Sequence, residues 1–272
     1  MKRSTSRIGE PIMLEVIKLE VVYNQAVMSI QGVSIRVPEG HIVTVLGTNG
    51  AGKTTLLRSV SGFLPSEYAR ISDGRILLDG EEITSLPPHR TARKGIVLVP
   101  ERNKTFPTMS TGENIRCSFS RNRRGPFTPE AVYGYFPILR NRAAQTAGYL
   151  SGGERQMLAL GCALLCQPRL LLIDEFSLGL ARLVVASLAE TLLKMKREQG
   201  LTLLLVEQNA AVALGMSDYA YVMETGRVVF DGPPRKLMAH EDVKEFYLGI
   251  KDGKKSCYRD VKQYRRTRRW WG

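Results

Sequence analysis

Eight consecutive residues, Gly47 to Thr54, have the types and spacing that phosphate binding requires. They match the pattern G-x-x-x-x-G-K-[ST], in which glycines let the backbone turn tightly and point several N–H groups at one anion. We expect Lys53 to reach the β- and γ-phosphates of a nucleoside triphosphate and the Thr54 hydroxyl to bind Mg²⁺. A glycine-rich turn without a ligand is the alternative. The predicted nucleotide-binding residues here are Gly47, Thr48, Asn49, Gly50, Ala51, Gly52, Lys53, Thr54 and Thr55.

Two acidic residues follow a second apolar run. The run from Leu170 to Ile173 predicts a buried strand, and Asp174 and Glu175 come directly after it. Hydrolysis at a phosphate-binding loop needs a carboxylate that holds Mg²⁺ through water, and we assign this role to Asp174. It also needs a group that orients or deprotonates the attacking water, a role for Glu175. A pair of acids that only caps the next helix is the alternative interpretation.

The elements that must position these residues alternate between strands and helices. Predicted strands cover 12–37 as two strands joined through Tyr23 to Gln25, then 41–46, 75–79, 96–99, 170–175 and 201–206, with a hairpin over 219–230. Predicted helices begin near 55, 88 and 150 and run over 183–199 and 235–247. This alternation predicts an α/β fold with a parallel sheet. Because ligands bind at the carboxyl ends of parallel strands, the loop, the two acids and Glu207–Gln208 should lie together.

Residues 108–147 differ in composition from the rest of the chain. They are richer in Arg, Asn and aromatic residues, and they predict an inserted helical lobe with an exposed loop near 120–128. The stretch Leu150 to Gln156 then opens a helix that runs to about Cys166. Ser151 and the two glycines after it leave backbone N–H groups free at the start of that helix.

Composition limits the class of protein. The 272 residues suffice for one large domain or two small ones, and 43% hydrophobic residues is the value of an ordinary soluble globular protein. No apolar run approaches the ~20 residues of a membrane span, and residues 1–11 lack the apolar segment of a secretory signal. The four cysteines form no C-x-x-C pair and have no nearby histidine, which favours reduced, apolar residues over metal ligands.

The net charge of +13 is concentrated near the C-terminus. Residues 250–272 carry nine Lys or Arg and two Asp, a net +7, which leaves +6 for the rest of the chain. The charge therefore predicts a basic tail and not a DNA-binding face, and no nucleic-acid partner is expected. Trp270 and Trp271 beside the basic residues suit a membrane–water interface. A solvated tail and one folded back on the body are the alternatives.

The run Leu150-Ser151-Gly152-Gly153-Glu154 resembles the signature motif of ABC-type ATPases, and the resemblance covers about residues 12–249. It implies that this helix N-terminus binds the γ-phosphate of ATP held by another subunit, in a head-to-tail dimer. Ser151, Gly152 and Gly153 thus join the predicted nucleotide-binding residues. The implied fold is a P-loop NTPase core with a mainly parallel sheet, an N-terminal antiparallel β-subdomain and a helical insertion at about 108–165. The implied ATPase domain covers 1–249, followed by the tail at 250–272.

A finer resemblance is to the LivF-type ATPases of branched-chain amino-acid importers. Val99 to Arg102 resembles the Q-loop of that branch, which implies Glu101 as a Mg²⁺ ligand. Val206 to Ala210 resembles its switch loop, with Gln208 in place of the usual histidine. Gln208 can still hydrogen-bond the γ-phosphate, and the resemblance implies that it acts in catalysis with Glu175. Three further stretches resemble this branch: the D-loop Ser177–Ala181, Tyr135–Pro137 and Glu245–Gly249.

Four positions fit this branch less closely. Tyr23 looks like the adenine-stacking aromatic, although its spacing to Gly32 is one residue longer than the commonest pattern, and a packed or surface tyrosine is the alternative. Phe176 stands where proline usually follows the two acids, Cys162 where arginine is usual, and Arg182 where proline is usual. Losing the proline frees φ just after the catalytic acid, so we expect an effect on turnover and not on nucleotide binding.

The resemblance implies an ATP- and Mg²⁺-dependent ATP hydrolase that energises uptake of branched-chain amino acids. Its implied partners are a second ABC ATPase subunit, identical or different, transmembrane permease subunits and, indirectly, a periplasmic or extracellular substrate-binding protein. The implied location is peripheral, at the cytoplasmic face of the cell membrane. The alternatives are an importer for urea or short amides, a nucleic-acid-associated ABC ATPase, and a structural partner with impaired hydrolysis. Nucleic-acid-associated members usually have two cassettes or long coiled-coil insertions, and this chain has neither.

Overall fold

The computed structural model of the chain describes residues 11–102, 105–119, 125–240 and 243. Its strands are β1 Ile12–Tyr23, β2 Val27–Pro38, β3 Ile42–Gly47, β4 Ala69–Leu78, β5 Glu81–Glu82, β6 Ile96–Val99, β7 Leu170–Asp174, β8 Thr202–Glu207, β9 Tyr219–Glu224 and β10 Arg227–Gly232. Its α-helices are α1 Lys53–Ser61, α2 Pro88–Arg93, α3 Thr111–Ser118, α4 Pro129–Tyr135, α5 Pro137–Asn141, α6 Gly152–Leu165, α7 Arg182–Gln199, α8 Ala210–Met216 and α9 Pro234–Ala239. Short 3₁₀ helices cover Leu64–Glu67 and Ala147–Tyr149.

The N-terminal strands form an antiparallel sheet in the order β2-β1-β4-β5. Apolar residues at alternate positions of β1 build its buried face, since Leu14 and Val16 are fully buried and Glu15 between them is only partly buried. The pairing shifts near Lys18, which has a positive φ of 47°, so that Leu19 and Val21 remain inward. This irregularity lets one long strand keep a continuous apolar face.

The second sheet has six strands in the order β10-β9-β3-β8-β7-β6. All neighbours except β10 and β9 pair in parallel. Every residue of β3, β7 and β8 is buried, as expected for central strands covered by helices on both faces. The predicted α/β fold, with a mainly parallel sheet and an antiparallel N-terminal sheet, is confirmed.

Four helices, α3 to α6, lie between β6 and β7 in the chain. Helix α6 packs against α3, α4 and α5, and Val132 and Leu139 from two of those helices share its apolar core. The prediction of helices in this part of the chain is thus correct, while the domain boundaries at 108–165 and 249 stay a prediction. The tail at 250–272 and Glu245–Gly249 lie outside the described residues.

Several predicted boundaries were wrong. Strand β4 begins at Ala69, six residues before the predicted start, and helix α8 was not predicted. The last helix, predicted to run from 235 to 247, ends at Ala239 because His240 has an extended conformation (φ −76°, ψ 128°), and most of the residues after it lie outside the described part. The loop predicted to be exposed near 120–128 has a buried side chain in its described part, Phe127.

Among the helices in the described ranges, none combines the length and the apolar character needed to cross a bilayer.

Candidate active site

The predicted phosphate-binding loop joins the end of β3 to the start of α1. Gly50 and Gly52 have positive φ values of 82° and 98°, a conformation that favours glycine. A Cβ atom at Gly47 would lie 2.5 Å from the Met223 backbone oxygen, and one at Gly52 would lie 2.9 Å from the Ser29 oxygen. The glycines of this loop are therefore required both by backbone conformation and by close packing.

Lys53 begins α1, and its side chain is buried, with only 4% of its surface exposed. Its Nζ atom donates to the backbone oxygens of Gly47 at 2.9 Å and Thr48 at 3.2 Å, and it lies 3.1 Å from Glu175 Oε1. An ammonium group has three N–H donors, so these contacts engage all of them. A phosphate that contacts the Lys53 ammonium must therefore replace at least one of these three partners.

Asp174 and Thr54, the predicted Mg²⁺ ligands, lie next to each other. The Thr54 hydroxyl donates to Asp174 Oδ1 at 3.2 Å, which joins the start of α1 to the end of β7. The pKa of Asp174 is raised to about 6, mainly by burial and in smaller part by the charges of Glu175 and Glu101, and the hydrogen bond from Thr54 opposes this rise. A nearby divalent cation has the opposite effect because it favours the charged carboxylate.

These donors fit Mg²⁺ chemically, because a hydroxyl and a carboxylate are hard oxygen ligands. Within the described ranges, no cluster of three or more His, Cys, Asp or Glu side chains could hold a metal by itself. Mg²⁺ is usually held by one or two protein oxygens together with water and substrate phosphates, so Thr54 and Asp174 suffice as the protein's share. Glu101 is near enough to influence Asp174, but it also pairs with Arg102 at 3.1 Å, and its role as a ligand stays a prediction.

Glu175, the predicted general base, has an unusual backbone. Its φ of 47° is left-handed, and its backbone N–H donates to the Val206 oxygen at 2.9 Å across the sheet. This conformation turns the carboxylate toward Lys53, and the residue is buried with 8% of its surface exposed. The structure thus places Lys53 of the phosphate-binding loop against Glu175, the residue that directly follows β7.

Gln208 follows β8, the strand between β3 and β7, and its side chain is exposed. The predicted meeting of the loop, the two acids and Gln208 at one edge of the sheet is confirmed by the strand order. Sequence reasoning also placed the residue before it, Glu207, at this edge of the sheet, but gave it no role in the site. Glu207 is buried and accepts two hydrogen bonds from Ser177, and the only signal for it was an acid at the end of an apolar strand.

Tyr23 lies beside the phosphate-binding loop. Its hydroxyl is 3.2 Å from Thr55 Oγ1, and Ser29 Oγ is 3.0 Å from the same atom. The ring is partly buried against the core of the N-terminal sheet. The structure therefore places Tyr23 next to the start of α1, and adenine stacking on its ring stays a prediction.

Ser151, Gly152 and Gly153 open helix α6 as predicted. Ser151 forms a capping box with Glu154: its Oγ accepts from the Glu154 N–H at 3.3 Å, and Glu154 Oε2 accepts from the Ser151 N–H at 2.8 Å. The first helical N–H groups, at Gly152 and Gly153, have no partner within the helix. No hydrogen bond or ion pair found in the described ranges joins these three residues to the phosphate-binding loop of the same chain.

The three departures from the family pattern occupy different environments. Phe176 is 1% exposed and belongs to the core beneath α6 and α7. Burial raises the pKa of Cys162 to about 11, so its thiol is neutral, and Cys117, Cys162 and Cys166 form no disulfide within the described residues. Arg182 is the exposed first residue of α7. The effect of these residues on turnover stays a prediction.

Comparisons with known proteins agree with this geometry. A family model described as ABC transporter matches residues 30–177. The chain is 39% identical over 239 residues to BraG of Pseudomonas aeruginosa, a high-affinity branched-chain amino acid transport ATP-binding protein, and the match covers 87% of this chain and 100% of BraG. It is 36% identical to LivF of Archaeoglobus fulgidus, a probable branched-chain amino acid transport ATP-binding protein, over 88% of this chain and 100% of LivF.

A solved structure shows the same fold. The ADP conformation of an ATP-binding cassette of an ABC transporter is 25% identical and superposes with a TM-score of 0.73, covering 88% of this chain and 99% of the cassette. With the phosphate-binding loop, the two acids and the capped helix in place, the chain belongs to the ABC transporter family as one of its ATP-binding, ATP-hydrolysing proteins.

Proposed function

We propose that this chain is the ATP-hydrolysing subunit of an importer for branched-chain amino acids. The observation that carries the proposal is the match to BraG and LivF over their whole lengths, since both are named for branched-chain amino acid transport. The Gln208 switch position and the Glu101 position also resemble the LivF-type branch. In this function ATP binding and hydrolysis drive separate permease subunits, and a periplasmic or extracellular binding protein delivers the substrate.

Within the site, each residue has a defined task. Lys53 and the backbone N–H groups of the loop hold the phosphates, and Tyr23 stacks on adenine. Thr54, Asp174 and Glu101 hold Mg²⁺, which supplies charge neutralisation on the phosphates when bound. Glu175 orients or deprotonates the attacking water. Its contact with Lys53 at 3.1 Å supports this role, since it places the carboxylate beside the residue that holds the phosphates.

The partner of the site is a second ABC ATPase subunit, identical or different. The exposed start of α6 supports this. Its first N–H groups can bind an anion, and they make no hydrogen bond to the phosphate-binding loop of the same chain in the described residues. In a head-to-tail dimer, Ser151, Gly152 and Gly153 of one subunit face the γ-phosphate bound to the other. The dimer docks on permease subunits, which places the chain at the cytoplasmic face of the membrane as a peripheral protein.

Gln208→Ala should slow hydrolysis more than it weakens ATP binding. The amide of Gln208 contacts the γ-phosphate most strongly when charge shifts during bond cleavage, and losing one such donor typically costs on the order of 10²–10³-fold in kcat. Steady-state kinetics should therefore show a lower kcat with a KM for ATP within about threefold of the wild type. Equal losses in affinity and rate would point to uniform binding of substrate and transition state.

The transported substrate is tested by uptake in cells that lack this chain and carry either the wild type or Lys53→Ala. We expect the wild type to restore uptake of radiolabelled leucine, isoleucine and valine, and Lys53→Ala to restore none. Lys94→Ala is a matched control, since Lys94 is a lysine whose side chain is 37% exposed and pairs with Glu81 instead of with a residue of the loop. Restored uptake of urea or acetamide, without leucine uptake, would replace the proposed substrate by an amide.

A further inference from the structure

One buried carboxylate joins the two loops that carry the predicted catalytic residues. Glu207 is the last residue of β8 and has 1% of its surface exposed. Its Oε1 accepts the Ser177 backbone N–H at 3.0 Å, and its Oε2 accepts the Ser177 hydroxyl at 2.7 Å. Ser177 lies two residues after Glu175, so both oxygens of one side chain hold the loop of the catalytic acid.

The same carboxylate is fixed to the loop of Gln208 by the chain itself. Glu207 directly precedes Gln208, and the backbone N–H of Asn209 also interacts favourably with its carboxylate. Asn209 in turn caps α8 by accepting from the Val212 N–H at 3.3 Å. The residues on both sides of Gln208 are therefore fixed, while the Gln208 side chain remains exposed.

This link differs from ordinary core packing in its buried charge and in its location. A carboxylate buried in a sheet costs free energy, so it is retained only where hydrogen bonds compensate for lost hydration. Burial raises the pKa of Glu207 and the charge of Glu175 raises it further, while the two hydrogen bonds from Ser177 oppose the rise. The link lies at the carboxyl ends of β7 and β8, the edge of the sheet where Asp174 and Glu175 also lie.

We propose that Glu207 is a positioning residue for ATP hydrolysis, which holds the loops of Glu175 and Gln208 in fixed relation through its hydrogen bonds to Ser177. The proposal rests on the proposed roles of Glu175 and Gln208. Glu207 itself touches neither phosphate nor water in this scheme. Its contribution is the geometry of the pair, and errors of about 1 Å in such geometry can cost on the order of 100-fold in rate.

The first test compares Glu207→Leu with Glu207→Gln. Leucine is similar in size but accepts no hydrogen bond, so we expect kcat to fall on the order of 10–100-fold while the KM for ATP changes less than about threefold. Glutamine can turn its oxygen to the Ser177 N–H and its NH₂ group to the Ser177 hydroxyl. Because the hydrogen bonds to Ser177 are retained, Glu207→Gln should keep kcat within about fivefold of the wild type.

A matched control lies on the same strand. Thr202 begins β8, is fully buried, and accepts the Gly40 N–H at 2.8 Å at the amino end of the sheet. Thr202→Val removes a comparable buried hydrogen bond without changing shape, so it should lower the melting temperature and leave kcat within about twofold. A folded Glu207→Leu variant with wild-type kcat, or a Glu207→Gln variant as slow as Glu207→Leu, would overturn the proposal.

Ser177 supplies a test that does not depend on a buried substitution. We expect Ser177→Ala to lower kcat by roughly three- to tenfold because one of two hydrogen bonds is lost, and Ser177→Thr to retain activity through its hydroxyl. If Glu207→Leu fails to fold, this pair decides the question. Equal kcat values for Ser177→Ala and the wild type would overturn the proposal.

The last arm separates this inference from the proposed function. When Glu207→Leu is added to Glu175→Gln, it should change the residual rate less than about twofold, because a positioning residue acts through the group it positions. A full additional loss in that background would show that Glu207 does not act through Glu175. A Glu175→Gln variant as active as the wild type would instead contradict the proposed role of Glu175.

Discussion

Glu175→Gln should bind ATP with nearly wild-type affinity and hydrolyse it on the order of 10²–10⁴-fold more slowly. The amide keeps the size of the carboxylate but cannot take a proton from water. Glu175 lies at the carboxyl end of β7, and its contact with Lys53 at 3.1 Å places it at the phosphate-binding loop. The rate is measured as phosphate release at saturating ATP and Mg²⁺, and affinity by titration with a fluorescent nucleotide.

A second readout of the same variant is its state of assembly. Because slow hydrolysis preserves the γ-phosphate between subunits, we expect Glu175→Gln to accumulate as an ATP-bound dimer, observed by light scattering after gel filtration. Glu190→Gln is a suitable control because Glu190 is an exposed acid on α7. Hydrolysis by Glu175→Gln at the wild-type rate would show that another group activates the water.

Lys53→Ala should abolish ATP binding at ordinary nucleotide concentrations. Lys53 is the buried cation of the loop, and hydrogen bonds between charged groups are worth about 1.5–3 kcal/mol, so affinity should fall on the order of 10–100-fold or more. Isothermal titration calorimetry with ATP and Mg²⁺ measures the loss directly. The Lys94→Ala variant controls for removal of a positive charge, and unchanged affinity of Lys53→Ala would remove Lys53 from the phosphate site.

Much of this site follows from the sequence because its residues lie at the ends of strands. The loop after β3, Asp174 after β7 and Gln208 after β8 each follow an apolar run, and parallel strands place such ends at one edge. The capping box at Ser151 was also readable, since Glu154 stands three residues later. Local patterns of this kind need no knowledge of which strand neighbours which.

Contacts between distant segments could not be predicted in this way. The ion pair of Lys53 with Glu175 depends on the left-handed backbone of Glu175, a conformation rare for a residue other than glycine. The link from Glu207 to Ser177 depends on the register of β7 and β8, which pairs Asp174 with Val206. A sequence pattern specifies neither the backbone strain nor the register.

The misassigned boundaries have similar causes. One helix was predicted from 235 to 247, but His240 is extended and ends α9 at Ala239. Phe127 was assigned to an exposed loop because of the nearby prolines and Gly125, yet Gln167 holds its backbone through hydrogen bonds at 3.2 Å and 2.6 Å. In both cases a tertiary or local backbone interaction overrides the pattern of the sequence.

The central claim is that hydrolysis at Glu175 drives uptake, and reconstitution of the complete transporter tests it most directly. The complex purified with this chain is placed in liposomes with the substrate-binding protein, and leucine uptake is measured beside ATP hydrolysis. We expect the wild type to couple the two, and Glu175→Gln to retain ATP yet sustain neither hydrolysis nor uptake. Sustained leucine uptake by the Glu175→Gln complex, or wild-type hydrolysis that moves no branched-chain amino acid, would contradict this.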